Sequence, residues 1–431
     1  MQANPPLYHP TANASVFRPS GTRGTEWIVY TQSNSGLPNN FVAQVVADVN
    51  SSKWIGTLGG GLAAFCDSSW TIFNSTNSQI PSNAVFSVSL DSQETKWIGT
   101  ISSGLGTFNT TGWAVFNTSN SGLPDDYVVS VAHDTGGIHW IATYGGGLAR
   151  FDGSNWQVFN VNNSGLPDNN VFPIAIDGQG KIWIGTDSGL AVLSGNTWQV
   201  FTTNNSMLPD NNINSIQIDG NNNLWIATGD AQTLGGGLVK VTPDSQWTVY
   251  TTGNSGLPNR KVWSIAIDNM GRKWIGTGGG GLAVFNDTIW IVFNQQNSEL
   301  PDSLVYFIEI DQYGNKWIST TNGLAVYREG GVILDVSPDD SFAPGGFSLS
   351  QNYPNPFNPS TNIRFSISSS QFVTLNVYDV LGCEIATLIN ECREVGNYEV
   401  PFNADNLGSG IYFYRLQAGT YSKTKKLLLL R

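Results

Sequence analysis

Cysteine is scarce in this sequence. Cys66, Cys383 and Cys392 are the only three among 431 residues. That is too few for a disulfide framework, and an odd count leaves at least one outside any bridge within the chain. An extended run separates Cys383 from Cys392. Bridged Cα atoms must lie within about 7 Å, so a bond between those two is disfavoured. Histidine is equally rare, at three residues. Charge is low as well: 32 Asp and Glu face 20 Lys and Arg, a net −12. Such a chain lacks the basic face that a phosphate backbone needs, which excludes nucleic acid as a partner. Long apolar runs are missing. The largest aliphatic cluster is "LLLL" at 427–430, far below the ~18 residues of a membrane-spanning helix. The opening "MQANPPLYHP" has neither a basic start nor an apolar stretch, so no N-terminal export signal is read there.

Glycine and aromatic residues are plentiful, with 48 Gly, 15 Trp, 14 Tyr and 21 Phe. That composition suits strands joined by tight turns. It is also periodic. "KWIGT" stands at 53–57, 96–100 and 273–277, with near copies at 139–143, 182–186, 224–228 and 316–320. The steps between successive Trp residues of this motif are 43, 43, 43, 42, 49 and 43. A second Trp series (Trp27, Trp70, Trp113, Trp156, Trp198, Trp247, Trp290), a Gly-Leu pair and a Leu-Pro or Ile-Pro pair each recur seven times. Each unit divides into four short β-like runs; in the fourth they are "VFPIAIDG", "KIWIGT", "GLAVL" and "TWQVF". Four strands per ~43 residues, repeated, is the signature of a β-propeller, here with seven blades.

Local roles follow. The Trp and Ile of "KWIGT" should fill the space between blades. An Asp precedes each such Trp by six residues, as Asp48 precedes Trp54, and should cap a hairpin turn. The run "EWIVYT" at 26–31 has no strands of its own before it, and the last unit ends after three strands at "GLAVYR". The first strand should therefore close the last blade and remove two free sheet edges.

Past Tyr327 the pattern stops. A Pro-, Gly- and Asp-rich stretch leads into six or seven strand-like runs, which read as a small β-sandwich. The expected organisation is all-β: an N-terminal extension at 1–25, a seven-bladed β-propeller at 26–328 closed by the N-terminal strand, a linker at 329–345, and an immunoglobulin-like sandwich at 346–431.

Two resemblances attach to these motifs. "NYPNPFNPST", "VYDVLG", "LGSGIYFYRLQAG" and the basic-aliphatic last strand are similar to the type A C-terminal sorting domain of type IX secretion substrates. The resemblance implies export by the Bacteroidota-type outer-membrane system, a secreted or outer-membrane-surface location, and the secretion machinery as a partner. It assigns the sorting motif to Tyr353, Pro354, Asn355, Pro356 and Phe357, with Lys425 and Lys426 on the last strand. The repeats resemble the two-component regulator propeller, whose full-length members are periplasmic sensors feeding a kinase. That family specifies a fold more than a task.

Chemistry is harder to find. His133, His139 and Asp134 are a metal alternative, but His133 is read as inter-blade packing and His139 as exposed. No metal, cofactor or catalytic residue is assigned, and no hydrolase, metalloprotease or phosphate-loop motif occurs. The leading reading is a monomeric, non-enzymatic surface protein that binds a glycan or a protein at the pore face. A polysaccharide lyase or glycoside hydrolase, and a detached periplasmic sensor module, are the alternatives. In a propeller the loops entering the innermost strands share a face with those joining the second strand to the third. Variable positions there are Phe41, Tyr127, Arg260, Lys261, Trp263 and Tyr306. Aromatic rings suit sugars, and the two cations suit an acidic group. Residues five after each Pro share parity with apolar residues at seven and nine, which instead favours packing between blades. The fifth unit carries a five-residue insertion within 229–237.

Overall fold

The computed structural model describes residues 7–8, 26–66, 69–230, 233–332, 334 and 347–430. Most of the expected N-terminal extension and linker, and Arg431, lie outside them. Every element among the described residues is a strand.

Seven sheets follow the repeat. In blade one the innermost strand Val42–Ala47 pairs with Lys53–Thr57, then Gly61–Cys66, then Ser69–Phe73. Blades two to six repeat that order, and Leu7–Tyr8 adds a parallel strand outside blade six. Blade seven supplies three strands, and Trp27–Tyr30 pairs antiparallel with its Gly323–Tyr327 as the fourth. Each innermost strand packs on the next, and that of blade seven packs on that of blade one, so the ring is closed.

The repeated residues each have a physical task. Trp54, Trp225, Trp274 and Trp317 are nearly inaccessible to solvent. In six blades the indole Nε1–H donates to the Asp six residues earlier, at 2.8–3.2 Å. The other oxygen of that Asp accepts two backbone N–H groups of the hairpin, as Asp48 does from Asn50 and Ser52. One carboxylate thus fixes both turn and core ring. Trp140 is the exception, its Nε1 without an acceptor among the described residues. The Thr ending each motif is fully buried, and its hydroxyl donates to the carbonyl of the Gly opening the third strand, at 2.6–3.1 Å. That Gly has positive φ, and a Cβ on Gly61 would lie 2.2 Å from the Phe73 carbonyl oxygen. Only glycine fits there.

The tail is a sandwich. One sheet holds Ser348–Leu349, Ser360–Ile367 and Gly396–Asn403; the other orders Glu384–Arg393, Gln371–Tyr378, Gly410–Ala418 and Tyr421–Leu429. Its core includes Ile363, Phe365, Leu375, Tyr414 and Leu427. The Tyr414 hydroxyl donates to Ser350 O at 2.7 Å and accepts Asn352 N at 2.9 Å, which ties the entry segment to the core. The sandwich also packs on blade one, where Phe372 lies edge-on to Trp54 and Phe73, 6.1 and 5.7 Å between ring centroids.

Candidate functional site

The mouth of the propeller is built where the loop after each Pro meets the loop after each "WIGT". Leu58 N donates to Phe41 O, Tyr144 N to Tyr127 O and Gly278 N to Lys261 O, each at 2.9–3.0 Å. Contacts between blades continue the rim, as where Gly59 N donates to Asn83 O and Gly323 N to Asn40 O.

Strand parity fails at this rim. In all seven innermost strands the pairing register shifts after the first residue. The residue four after each Pro (Val42, Val85, Val128, Val171, Ile213, Val262, Val305) is fully buried. The next residue sits in a β-bulge, which inserts an extra position and re-aims its side chain. Phe86, Phe172, Trp263 and Tyr306 occupy that position and are only half-buried. Alternation alone would have sent them between the blades.

Two aromatic arcs result. Trp263 lies 4.6 Å from Tyr306, and Tyr306 lies 5.1 Å from Phe41, between centroids. This arc spans blades six, seven and one. On the other side Phe86, Tyr127, Tyr144 and Phe172 follow at 5.6, 5.4 and 5.8 Å. Tyr144 is exposed. Sequence reasoning left it out, although it stands where other units have Leu58, Ile101, Asp187, Gly229, Gly278 or Thr321. Burial raises the Tyr127 and Tyr306 phenol pKa values, helped by Tyr144 and Asp302 respectively. Both phenols therefore stay protonated donors at neutral pH.

Polar groups fill the gap between the arcs. The Asp187 carboxylate accepts Asn170 Nδ2 at 2.9 Å and Asn212 Nδ2 at 2.5 Å. Burial foremost, with Asp168 and Asp230 adding repulsion, raises its pKa. Asn214 takes the bulge position in blade five and donates to Gly229 O and Val262 O. Arg260 and Lys261 differ from each other. Arg260 Nη1 donates to Thr233 O and clasps the blade-five insertion, of which residues 231–232 lie outside the described set. Lys261 is half-buried, and its Cβ and the Trp263 indole lie over Gly278.

The far end of the ring differs. His133 and His139 approach each other there, Nδ1 to Nδ1 at 2.8 Å, and His133 Nε2 lies 3.0 Å from Ser89 Oγ of blade two. His139 is not exposed as expected: its ring lies against Trp97 at 4.0 Å, which shields it. Burial pushes His133 down to about 4 and lowers His139 as well. Asp134 is occupied by the N–H groups of Gly136 and Ile138. Among the described residues no three His, Cys, Asp or Glu side chains are grouped to hold a metal ion. A cavity of roughly 520 Å³ opens nearby, lined in part by Gln44, Glu94 and Glu309. Burial pushes the Glu309 carboxyl up to about 7; Ala47 N–H and Lys53 oppose this, and Asp311 adds to it.

In the tail, Tyr353 is 81% exposed whereas Phe357 is buried. Pro354 and Pro356 are exposed and Asn355 is half-buried. Phe357 N donates to Leu428 O, Leu430 N to Phe357 O, and Leu428 N to Asn355 Oδ1, at 2.8–3.0 Å. The motif thus straps onto the last strand beside Lys425, which is half-buried, and Lys426, which is exposed.

Comparison with known proteins agrees with both halves. Residues 351–430 match the secretion system C-terminal sorting domain. Residues 165–188 and 207–230 match the two component regulator propeller. No curated relative matches. Among solved structures, the extracellular domain of a hybrid two component system from B. thetaiotaomicron is 20% identical, with a TM-score of 0.62 over 94% of this chain and 57% of its own. PorZ, a bacterial surface component of the type-IX secretion system of Porphyromonas gingivalis, is 17% identical, with a TM-score of 0.54 over 91% and 60%. Virginiamycin B lyase from Staphylococcus aureus is 13% identical, with a TM-score of 0.56 over 70% and 98%. The chain spans under two thirds of the first two proteins, and these identities speak to fold alone.

Proposed function

From a chain that joins a propeller to a secretion sorting domain, and is therefore secreted or held at the cell surface, we propose a non-enzymatic binding protein whose propeller mouth takes a carbohydrate. The observation behind this reading is the bulge repeated in every innermost strand. It re-aims four large rings, which touch rings of neighbouring blades and stay half-buried at the rim. Half-exposed rings offer flat apolar faces to a sugar ring. The amides and carboxylate around Asp187 and the two neutral phenols supply hydroxyl partners. Arg260 is engaged by the insertion, so an acidic ligand meets Lys261 rather than two cations. An enzyme reading gains no support from His133 and His139, which pair at the far end of the ring.

The test is a glycan array and a pull-down with the full chain and with Trp263→Ala. The proposal expects carbohydrate binding that falls at least about tenfold in the variant. No glycan bound, or binding unchanged by Trp263→Ala, would overturn it. Capture of a protein that the variant fails to capture would transfer the mouth to a protein ligand.

A further inference from the structure

Cys66 closes the third strand of blade one. The matching residues in the other blades are Asn109, Asp152, Ser194, Thr242, Asn286 and Arg328. Each of those is polar; Asp152, Ser194 and Asn286 are exposed and Asn109, Thr242 and Arg328 half-buried, whereas Cys66 is 4% exposed. The difference is the tail, whose strand Gln371–Tyr378 packs on the third and fourth strands of blade one. Cys66 shares a buried cluster with Phe372 and Cys392 of the sandwich, and Cys392 is 3% exposed. Two register pairs bracket this seam. Cys66 faces Ser69 across its hairpin, and Cys392 faces Phe372 across its own. Ser69 Oγ reaches Ser370 O at 3.5 Å, and Asn50 Nδ2 reaches Glu391 Oε2 at 3.4 Å. Cys383 belongs elsewhere: it is exposed, and nine residue steps of nearly extended strand carry the chain from it to Cys392, about 30 Å. That distance rules out the bridge within the tail.

We propose that Cys66 and Cys392 form a disulfide that fastens the sorting domain to blade one. The compartment favours it, because an exported chain meets an oxidising environment where disulfides form and persist. The step is thiol–disulfide exchange with a dithiol–disulfide oxidant. One thiolate attacks the oxidant's S–S bond, forming a mixed disulfide and releasing one oxidant thiol. The second thiolate attacks the protein sulfur of that mixed disulfide, forming the Cys66–Cys392 bond and releasing the second oxidant thiol. Two electrons and two thiol protons leave the protein, and the oxidant is reduced by the same amount. Buried thiols react slowly, so exchange precedes closure of the seam. A chain cut in the linker would then keep its sorting domain.

The wild-type full chain answers the question. It is refolded from the reduced, unfolded chain with oxidised dithiothreitol, a cyclic disulfide that leaves lone thiols unmodified, then unfolded in guanidinium with a maleimide and no reductant. The proposal expects one label per chain, on Cys383, rising to three after reduction, with a linked Cys66–Cys392 peptide in the mass map. Cys66→Ser should expose Cys392 and give two labels. Three labels on the oxidised wild type, or a linked peptide containing Cys383, would overturn the proposal.

Discussion

The two ends of the propeller are written in different styles. At the hairpin end, six blades use the same Asp for the same indole N–H and the same backbone groups. At the mouth, the blades share a backbone device, the bulge, but fill it with Ala43, Phe86, Val129, Phe172, Asn214, Trp263 and Tyr306. A uniform side chain holds a uniform turn; a uniform backbone presents non-uniform side chains. Stability should therefore respond to substitution at one end, and recognition at the other.

The largest effect should come from undoing the ring that both ends depend on. Deleting residues 1–31 removes the strand paired with Gly323–Tyr327 and bares a sheet edge. Calorimetry should show a broad, low-enthalpy transition, and light scattering should show association; a parent-like melt would contradict this. Next is Asp311→Ala at the hairpin end. Asp311 accepts the Trp317 indole at 2.8 Å and the N–H groups of Tyr313 and Asn315, and lies 3.4 Å from Lys53 Nζ. Removing it strands buried donors and a buried cation, a loss of about 3–5 kcal/mol in denaturant unfolding.

Smaller still is Glu309→Gln, at a site where the other units carry Val46, Ser89, Ala132, Ala175, Gln217 and Ala266. Burial holds the Glu309 carboxyl at about 7, so the fold binds this proton more tightly than the unfolded chain does. Its contribution is fully present below the ordinary carboxylate range and is lost as pH rises through about 7. The glutamine variant should match the parent at about pH 3.5 and exceed it by roughly 1–3 kcal/mol at pH 8. Equal midpoints at both pH values would remove the carboxyl from consideration. The smallest stability change belongs to the mouth. Trp263→Ala loses contact with Tyr306 and the Gly278 backbone, about 1–2 kcal/mol, and under the proposed function carbohydrate binding should fall at least about tenfold.

Blade count, strand order and ring closure were legible because the Trp, Gly-Leu and Pro markers are local and repeat. The bulge was not. Alternation counting assumes a period of two, and one inserted residue reverses the face of everything before it. The constant spacing of six was legible as a turn cap, which each Asp is; its second bond, to the indole, was not. Phe86 and Phe172 stood in the same register as Trp263, yet rings in sequence look the same whether they face a neighbouring blade or solvent. Docking of the tail on blade one left a single trace, a cysteine where six other units carry polar residues. Contacts between residues some three hundred positions apart have no period to betray them.

The strand that seals blade seven is made before any complete blade and used after all of them. Trp27 pairs with Tyr327, so a ribosome must finish the third strand of blade seven before this early strand can be spent. Closing a chain of that length carries an entropy term of about 5 kcal/mol, and the early strand must wait, unpaired, while six blades assemble. Folding of this domain is thus timed by its termini: the last step joins opposite ends of the propeller sequence, and it is the slow, non-local kind of step that topology penalises.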